Sequence, residues 1–202
     1  MKLKLLGLIF VVFIAACSDG GSSSGGSGDK EQLILALGDS IGAGTVTGGY
    51  AFPEITGILT ALPVVNASES GASAQTEVIR AQGLIDQHNP QFLIAMLGTN
   101  NALGADGGAG GAVDALQTLA NICESNGVIC IISTIPPITR SSDENGNVRN
   151  INSGIFGISN AIIVDSNAVL TSNDILPDGI HPNGGGQDKI GAVFAAAVAD
   201  LK

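Results

Sequence analysis

Three side chains in this sequence have the types and placement needed to turn a hydroxyl into a nucleophile: Ser40, Asp178 and His181. A serine hydroxyl attacks carbonyl carbon poorly until a base removes its proton. Imidazole can do that near neutral pH, and a carboxylate can hold the imidazole in the right tautomer. Ser40 ends Gly38-Asp39-Ser40, which follows the apolar run Leu33-Ile34-Leu35-Ala36-Leu37. A turn directly after a buried parallel strand is where open α/β sheets keep their chemistry. Asp178 precedes His181 in Asp178-Gly179-Ile180-His181, so one turn can aim the carboxylate at the ring. The chain has 2 histidines. The other, His88 in Gln87-His88-Asn89-Pro90, falls where a helix should end and reads as a surface or capping residue. Asp39 reads as a turn-stabilising residue and not as a triad member.

Ser40 lies far in sequence from Asp178 and His181, so the fold must bring them together. Five short apolar runs read as strands: Gln32–Leu37, Pro63–Asn66, Phe92–Leu97, Val128–Ser133 and Ala161–Asp165. They lack strict alternation, as strands covered on both faces do. Helical spacing is read in Tyr50–Leu62, Gln75–Gln87, Val113–Ser125, Val148–Ser159 and the alanine-rich Gln187–Leu201. Alternating strand and helix predicts an α/β fold, a three-layer α/β/α sandwich around a parallel, flavodoxin-like sheet of about five strands. Ser40, Gly71 and Gly98-Thr99-Asn100 then follow the first, second and third strands. His181 lies in the loop before the last helix.

Other chemistries fit poorly. The stretch from Gly38 to Gly44 is rich in glycine but has no Gly-Lys-Ser/Thr for phosphates, and Gly42-Ala43-Gly44 lacks the third glycine of a dinucleotide turn. No cluster of His, Cys and Asp suggests a metal, and no cofactor is expected. With 8 basic against 18 acidic residues and a formal charge of −10, the surface repels phosphate backbones, so nucleic acid is not an expected partner.

At this point the sequence resembles the SGNH hydrolases, also called the GDSL esterase/lipase family. Its four blocks supply a Ser, a Gly, an Asn and a His, matched here by Ser40, Gly71, Asn100 and His181. Asn66-Ala67-Ser68-Glu69-Ser70-Gly71 is similar to the second block of the bacterial thioesterase I and arylesterase branch. Pro177-Asp178-Gly179-Ile180-His181-Pro182-Asn183 is similar to its last block. The resemblance runs from about Leu33 to Leu201 and implies an oxyanion hole formed by the backbone N–H groups of Ser40 and Gly71 and the side-chain amide of Asn100. The third block commonly reads Gly-x-Asn-Asp, whereas this chain has Asn101 in place of the carboxylate, a change expected to adjust the site without abolishing activity. The implied activity is a serine esterase acting on short- to medium-chain acyl esters, or thioesters, through an acyl-enzyme. A carbohydrate or cell-wall O-acetyl esterase is the alternative within the same chemistry. The single Tyr and absence of Trp lean mildly against polysaccharide. The alternative from another class is a non-catalytic, ligand-binding surface lipoprotein. The glycine-rich stretch Leu103–Gly111 reads as a mobile loop beside the site, forming part of an acyl pocket, with Ile135-Pro136-Pro137 as another wall.

Residues 1–16 read as a lipoprotein signal peptide: Lys2 and Lys4, then an apolar stretch to Ala16 that is too short to span a bilayer. Ile14-Ala15-Ala16-Cys17 resembles a lipobox, which implies cleavage before Cys17 and acylation of it. Residues 17–30 form a Gly/Ser-rich tether with a reach of about 19 Å, and residues 31–202 form the hydrolase domain. The expectation is an exported bacterial lipoprotein, monomeric, touching the membrane only through its lipid. Its domain would stand in the periplasm, at the outer membrane, or at the cell surface. Cys123 and Cys130 read equally as a disulfide and as free buried thiols.

Overall fold

Ile34, Leu35, Ala36 and Leu37 are fully buried in succession, so the first strand has no solvent face and must lie inside a sheet covered on both sides. The computed structural model describes residues 30–201. The leader, Cys17 and nearly all of the tether lie outside the described residues. In chain order the elements are β1 (Glu31–Gly38), α1 (Phe52–Thr60), β2 (Val64–Asn66), α2 (Ala74–His88), β3 (Pro90–Met96), α3 (Thr99–Ala102), α4 (Gly108–Ser125), β4 (Ile129–Ser133), α5 (Ser142–Ile155), β5 (Ile162–Val164) and α6 (Ser166–Val169). A 3₁₀ turn (Ser172–Asp174) and α7 (Gly184–Ala199) follow.

The five strands are parallel in the order β2-β1-β3-β4-β5. Ile34 pairs with both Val64 and Phe92, and Gly38 pairs with Met96. Strand order therefore reverses at β1, and the crevice above its carboxyl end is the place where such sheets bind ligands. Helix α1 packs on α7, while α2, α4 and α5 pack in sequence against one another. The expected α/β sandwich is what the chain forms. Phe52 and Phe194 stack with ring centroids 5.1 Å apart, tying α1 to α7.

Helix starts follow local chemistry. Ser73 caps α2 by accepting from the Thr76 N–H at 3.2 Å, and Thr76 Oγ1 accepts from the Ser73 N–H at 2.9 Å. The helix stops at Asn89 (φ 43), before Pro90. Two helices depart from expectation. Helix α5 begins at Ser142, not Val148, because Ser141 accepts from the Glu144 N–H and Asp143 and Glu144 sit at the positive end of the helix. Helix α4 begins at Gly108, so only Leu103–Gly107 is loop. The glycines at 108, 110 and 111 are helical. Gly111 is a point of close approach, where a Cβ would lie 2.5 Å from Gln75 Nε2 and 2.9 Å from the Asp106 carbonyl oxygen.

Candidate active site

Ser40 Oγ lies 2.8 Å from His181 Nε2, across 141 positions of sequence. His181 Nδ1 lies 2.7 Å from Asp178 Oδ2. With the carboxylate accepting from Nδ1–H, Nε2 carries the lone pair and accepts from the Ser40 hydroxyl. The three residues predicted to work together are thus joined in one unbroken chain. Asp178 Oδ1 is used separately, accepting from the Ile180 N–H at 2.9 Å and the His181 N–H at 3.0 Å. Burial raises the Asp178 pKa, but those two N–H donors and the imidazole outweigh it, and the carboxyl titrates below its ordinary value.

The segment carrying Asp178 and His181 is a tight loop closed on itself. Leu176 N–H donates to the His181 carbonyl at 2.8 Å, Gly179 N–H to Leu176 at 2.9 Å, and Asn183 N–H to Asp174 at 2.8 Å. Gly179 has φ 73 and its backbone lies against Arg140, so a side chain there would collide as well as strain the chain. At the base of the loop, Asp174 accepts from Lys189 Nζ at 2.8 Å and from Thr171, and these donors hold its carboxyl down at about 2. The turn that carries Ser40 is fixed from the other side. Asp39 Oδ1 accepts from the Ile41 N–H at 2.9 Å, and the buried Gln187 of α7 bridges it to α1 by donating to the Ile41 carbonyl and accepting from the Phe52 N–H.

Gly71 follows β2 and has φ 82, with nothing within 4 Å of where a Cβ would be. Among the described residues, no group accepts a hydrogen bond from the Ser40 or Gly71 N–H. Asn100 is the second residue of the short α3 after β3, and its Nδ2 donates to the Ala72 carbonyl at 2.8 Å, one residue beyond Gly71. These three donors stand at the ends of three neighbouring strands, where the sequence placed them.

Two acids lie beneath the turn without exposure. Burial pushes Asp39 up to about 6, offset in part by the Ile41 N–H, His181 and Thr99. Burial likewise pushes Glu77 up to about 7 against the pull of Arg80, 2.8 Å away. His88 ends α2, away from the triad, as expected. Cys123 and Cys130 are free buried thiols in this structure. Contact with Cys123 and burial push the Cys130 thiol well up. A cavity of about 390 Å³ between Glu124, Val128, Cys130, Asn160 and Ile162 lies at the amino ends of β4 and β5, the opposite end of the sheet from Ser40. Among the described residues no group of three or more His, Cys, Asp or Glu could hold a metal ion, and no helix is long and apolar enough to cross a membrane. Sequence reasoning missed Gln187 as a support of the site, since nothing in its local pattern distinguishes it from an ordinary polar residue.

The chain is similar to the "Multidomain esterase" of Ruminococcus flavefaciens, 27% identical over 128 residues, covering 57% of this chain and 16% of that protein. It is similar to "Thioesterase 1/protease 1/lysophospholipase L1" of Escherichia coli (strain K12), 32% identical over 104 residues, covering 50% of this chain and 44% of that protein. The chain thus matches less than half the length of either relative. In fold it resembles a member of the lipolytic protein G-D-S-L family from Veillonella parvula DSM 2008, with a TM-score of 0.73 at 19% identity, covering 85% of this chain and 100% of that one. The sequence profile of the GDSL-like Lipase/Acylhydrolase family matches residues 36–189, from inside β1 to the first turns of α7 and so across every strand end described above, and the chain belongs to that family.

Proposed function

We propose that this chain is a serine esterase that cleaves short- to medium-chain acyl esters through an acyl-enzyme. The observation that carries this reading is the continuous hydrogen-bond chain from Ser40 through His181 to Asp178. In the first half-reaction Ser40 Oγ attacks the acyl carbon while its proton passes to His181 Nε2. The negative charge that develops on the carbonyl oxygen is met by the Ser40 and Gly71 N–H groups and the Asn100 amide. Collapse of the tetrahedral adduct breaks the bond to the alcohol or thiol, which takes the proton from His181. Water, deprotonated by His181, then attacks the acyl-serine, and the acid leaves with Ser40 restored. Asp178 stays ionised throughout and stabilises the imidazolium. Export and lipidation at Cys17 are part of the same proposal and rest on residues 1–17 alone.

The test is hydrolysis of a p-nitrophenyl ester series, acetate to palmitate, by residues 29–202 beside Ser40→Ala. Turnover by the parent, falling by about 10⁵-fold or more in kcat in the variant, is expected. Equal turnover by both proteins overturns the assignment of Ser40. If the parent cleaves only acetylated sugars, the O-acetyl esterase reading replaces the one proposed.

A further inference from the structure

Asn101 is 1% exposed and hydrogen-bonded at both ends of its amide. Its Oδ1 accepts from the Ala74 N–H in the first turn of α2 at 3.0 Å. Its Nδ2 faces the Gln75 Oε1 at 2.9 Å, the Asp106 carbonyl at 3.0 Å and the Ala105 carbonyl at 3.3 Å. The orientation of the amide is fixed by partners that have no choice of role, since a backbone N–H can only donate and carbonyls can only accept. Around it, Gln75 Nε2 also donates to the Asp106 carbonyl at 2.8 Å, and Ser73 Oγ donates to the Asp106 carboxylate at 2.5 Å. Asp106 itself is held at φ 28, a conformation that side-chain-bearing residues seldom adopt without such support.

These contacts join two segments. One runs from Gly71 into α2, and the other from Asn100 through the loop at 103–107. Each carries one of the donors assigned to the oxyanion, and the Asn100 amide reaches across to the Ala72 carbonyl. We propose that Asn101 is the positioning residue that sets the Gly71 N–H and the Asn100 amide relative to each other, and that it requires an amide to do so. This rests on the oxyanion assignment of the previous section. An aspartate of the same shape could accept from Ala74, but its second oxygen would meet the Gln75 amide oxygen and the Ala105 and Asp106 carbonyl oxygens, all of them acceptors. A leucine would leave the Ala74 N–H without its acceptor and Gln75 Oε1 without its donor. Neither carries a donor and an acceptor on opposite sides.

The experiment compares Asn101→Asp and Gln75→Ala with the parent in kcat, KM, melting temperature and hydrogen exchange of the amides at 71–76 and 102–108. Misaligning a donor weakens transition-state binding more than substrate binding. For Asn101→Asp we therefore expect kcat to fall by about 10- to 100-fold with KM within about threefold, and exchange to quicken in these two segments. Gln75 is only partly buried, so its variant folds even if Asn101→Asp does not; it should show the same pattern at about two- to fivefold in kcat. Unchanged kcat and exchange in both variants overturn the proposal. So does a kcat loss fully accounted for by a smaller folded fraction. If Ser40→Ala shows that the esterase reading is wrong, the exchange data still decide whether Asn101 joins the two segments.

Discussion

The buried carboxyl of Asp39 immediately precedes Ser40, and its cost can be read through pH. Its pKa is about 6 in the fold against an ordinary 3.8. Below pH 4 the group is neutral in both folded and unfolded chains, and the native state bears no penalty. Between about pH 4 and 6 the unfolded chain releases the proton while the folded chain keeps it, so stability falls as pH rises and levels off above the folded value. At about 1.4 kcal/mol per pK unit, the loss is about 3 kcal/mol. Asp39→Asn keeps the acceptor for the Ile41 N–H and removes the titration. Urea unfolding at pH 4.5 and pH 7 should show a smaller loss in the variant than in the parent; an identical loss would refute the buried ionisation. Glu77, raised for the same reason, contributes a slope of the same sign that the variant retains. The carboxylate of Asp178 differs in kind. It is 40% exposed, and its value lies in orientation, through two backbone N–H bonds and one ring nitrogen, more than in raw Coulomb energy, which solvent screens.

At the scale of elements, the site depends on how closely α7 lies against α1. Gly191 makes that approach possible: a Cβ there would stand 2.5 Å from Ile55 Cγ2 and 2.7 Å from Ile55 Cβ. Gly191→Ala gains about 1 kcal/mol of helix propensity, but pushing two helices apart costs about 1–3 kcal/mol, so the melting temperature should drop. Because α7 also carries Gln187, which holds the Ile41 carbonyl, esterase activity should fall with it. Gly83 is the contrast. It lies in the middle of α2, exposed, with nothing within 4 Å of an added Cβ. Gly83→Ala should raise stability by about 0.5–1 kcal/mol and leave activity unchanged. Thermal melts of the two variants should shift in opposite directions, and shifts of the same sign would contradict this account of the α1–α7 contact.

Across the whole molecule, Ser40 stands at the carboxyl end of β1, while residues 1–29 join at its amino end. Eight residues of strand separate the two by about 26 Å. If Cys17 is acylated, the full chain produced in an exporting bacterial host should sediment with membranes, and Cys17→Ser should move it to the soluble fraction with activity per mole unchanged. Soluble behaviour of both proteins would exclude the lipid anchor. The sequence by itself determined the layered α/β fold and picked out Ser40, Asp178 and His181 as the candidate triad. Buried parallel strands are short apolar runs bounded by glycine, proline and asparagine, and the chemistry of such sheets gathers where those runs end, so Ser40 was marked by position and His181 by the scarcity of histidine, while Gly71 and Asn100 were assigned through the resemblance to the SGNH hydrolases. Only the tertiary structure decided what depends on contacts between segments distant in sequence. It placed Ser40 against His181, made Gly111 a point of contact with Gln75 instead of part of a mobile loop, left Cys123 and Cys130 as neighbouring thiols, and gave Asn101 and Gln187 their partners. A polar side chain's role is fixed by the donors and acceptors that packing brings to it, and no local pattern of residues encodes those.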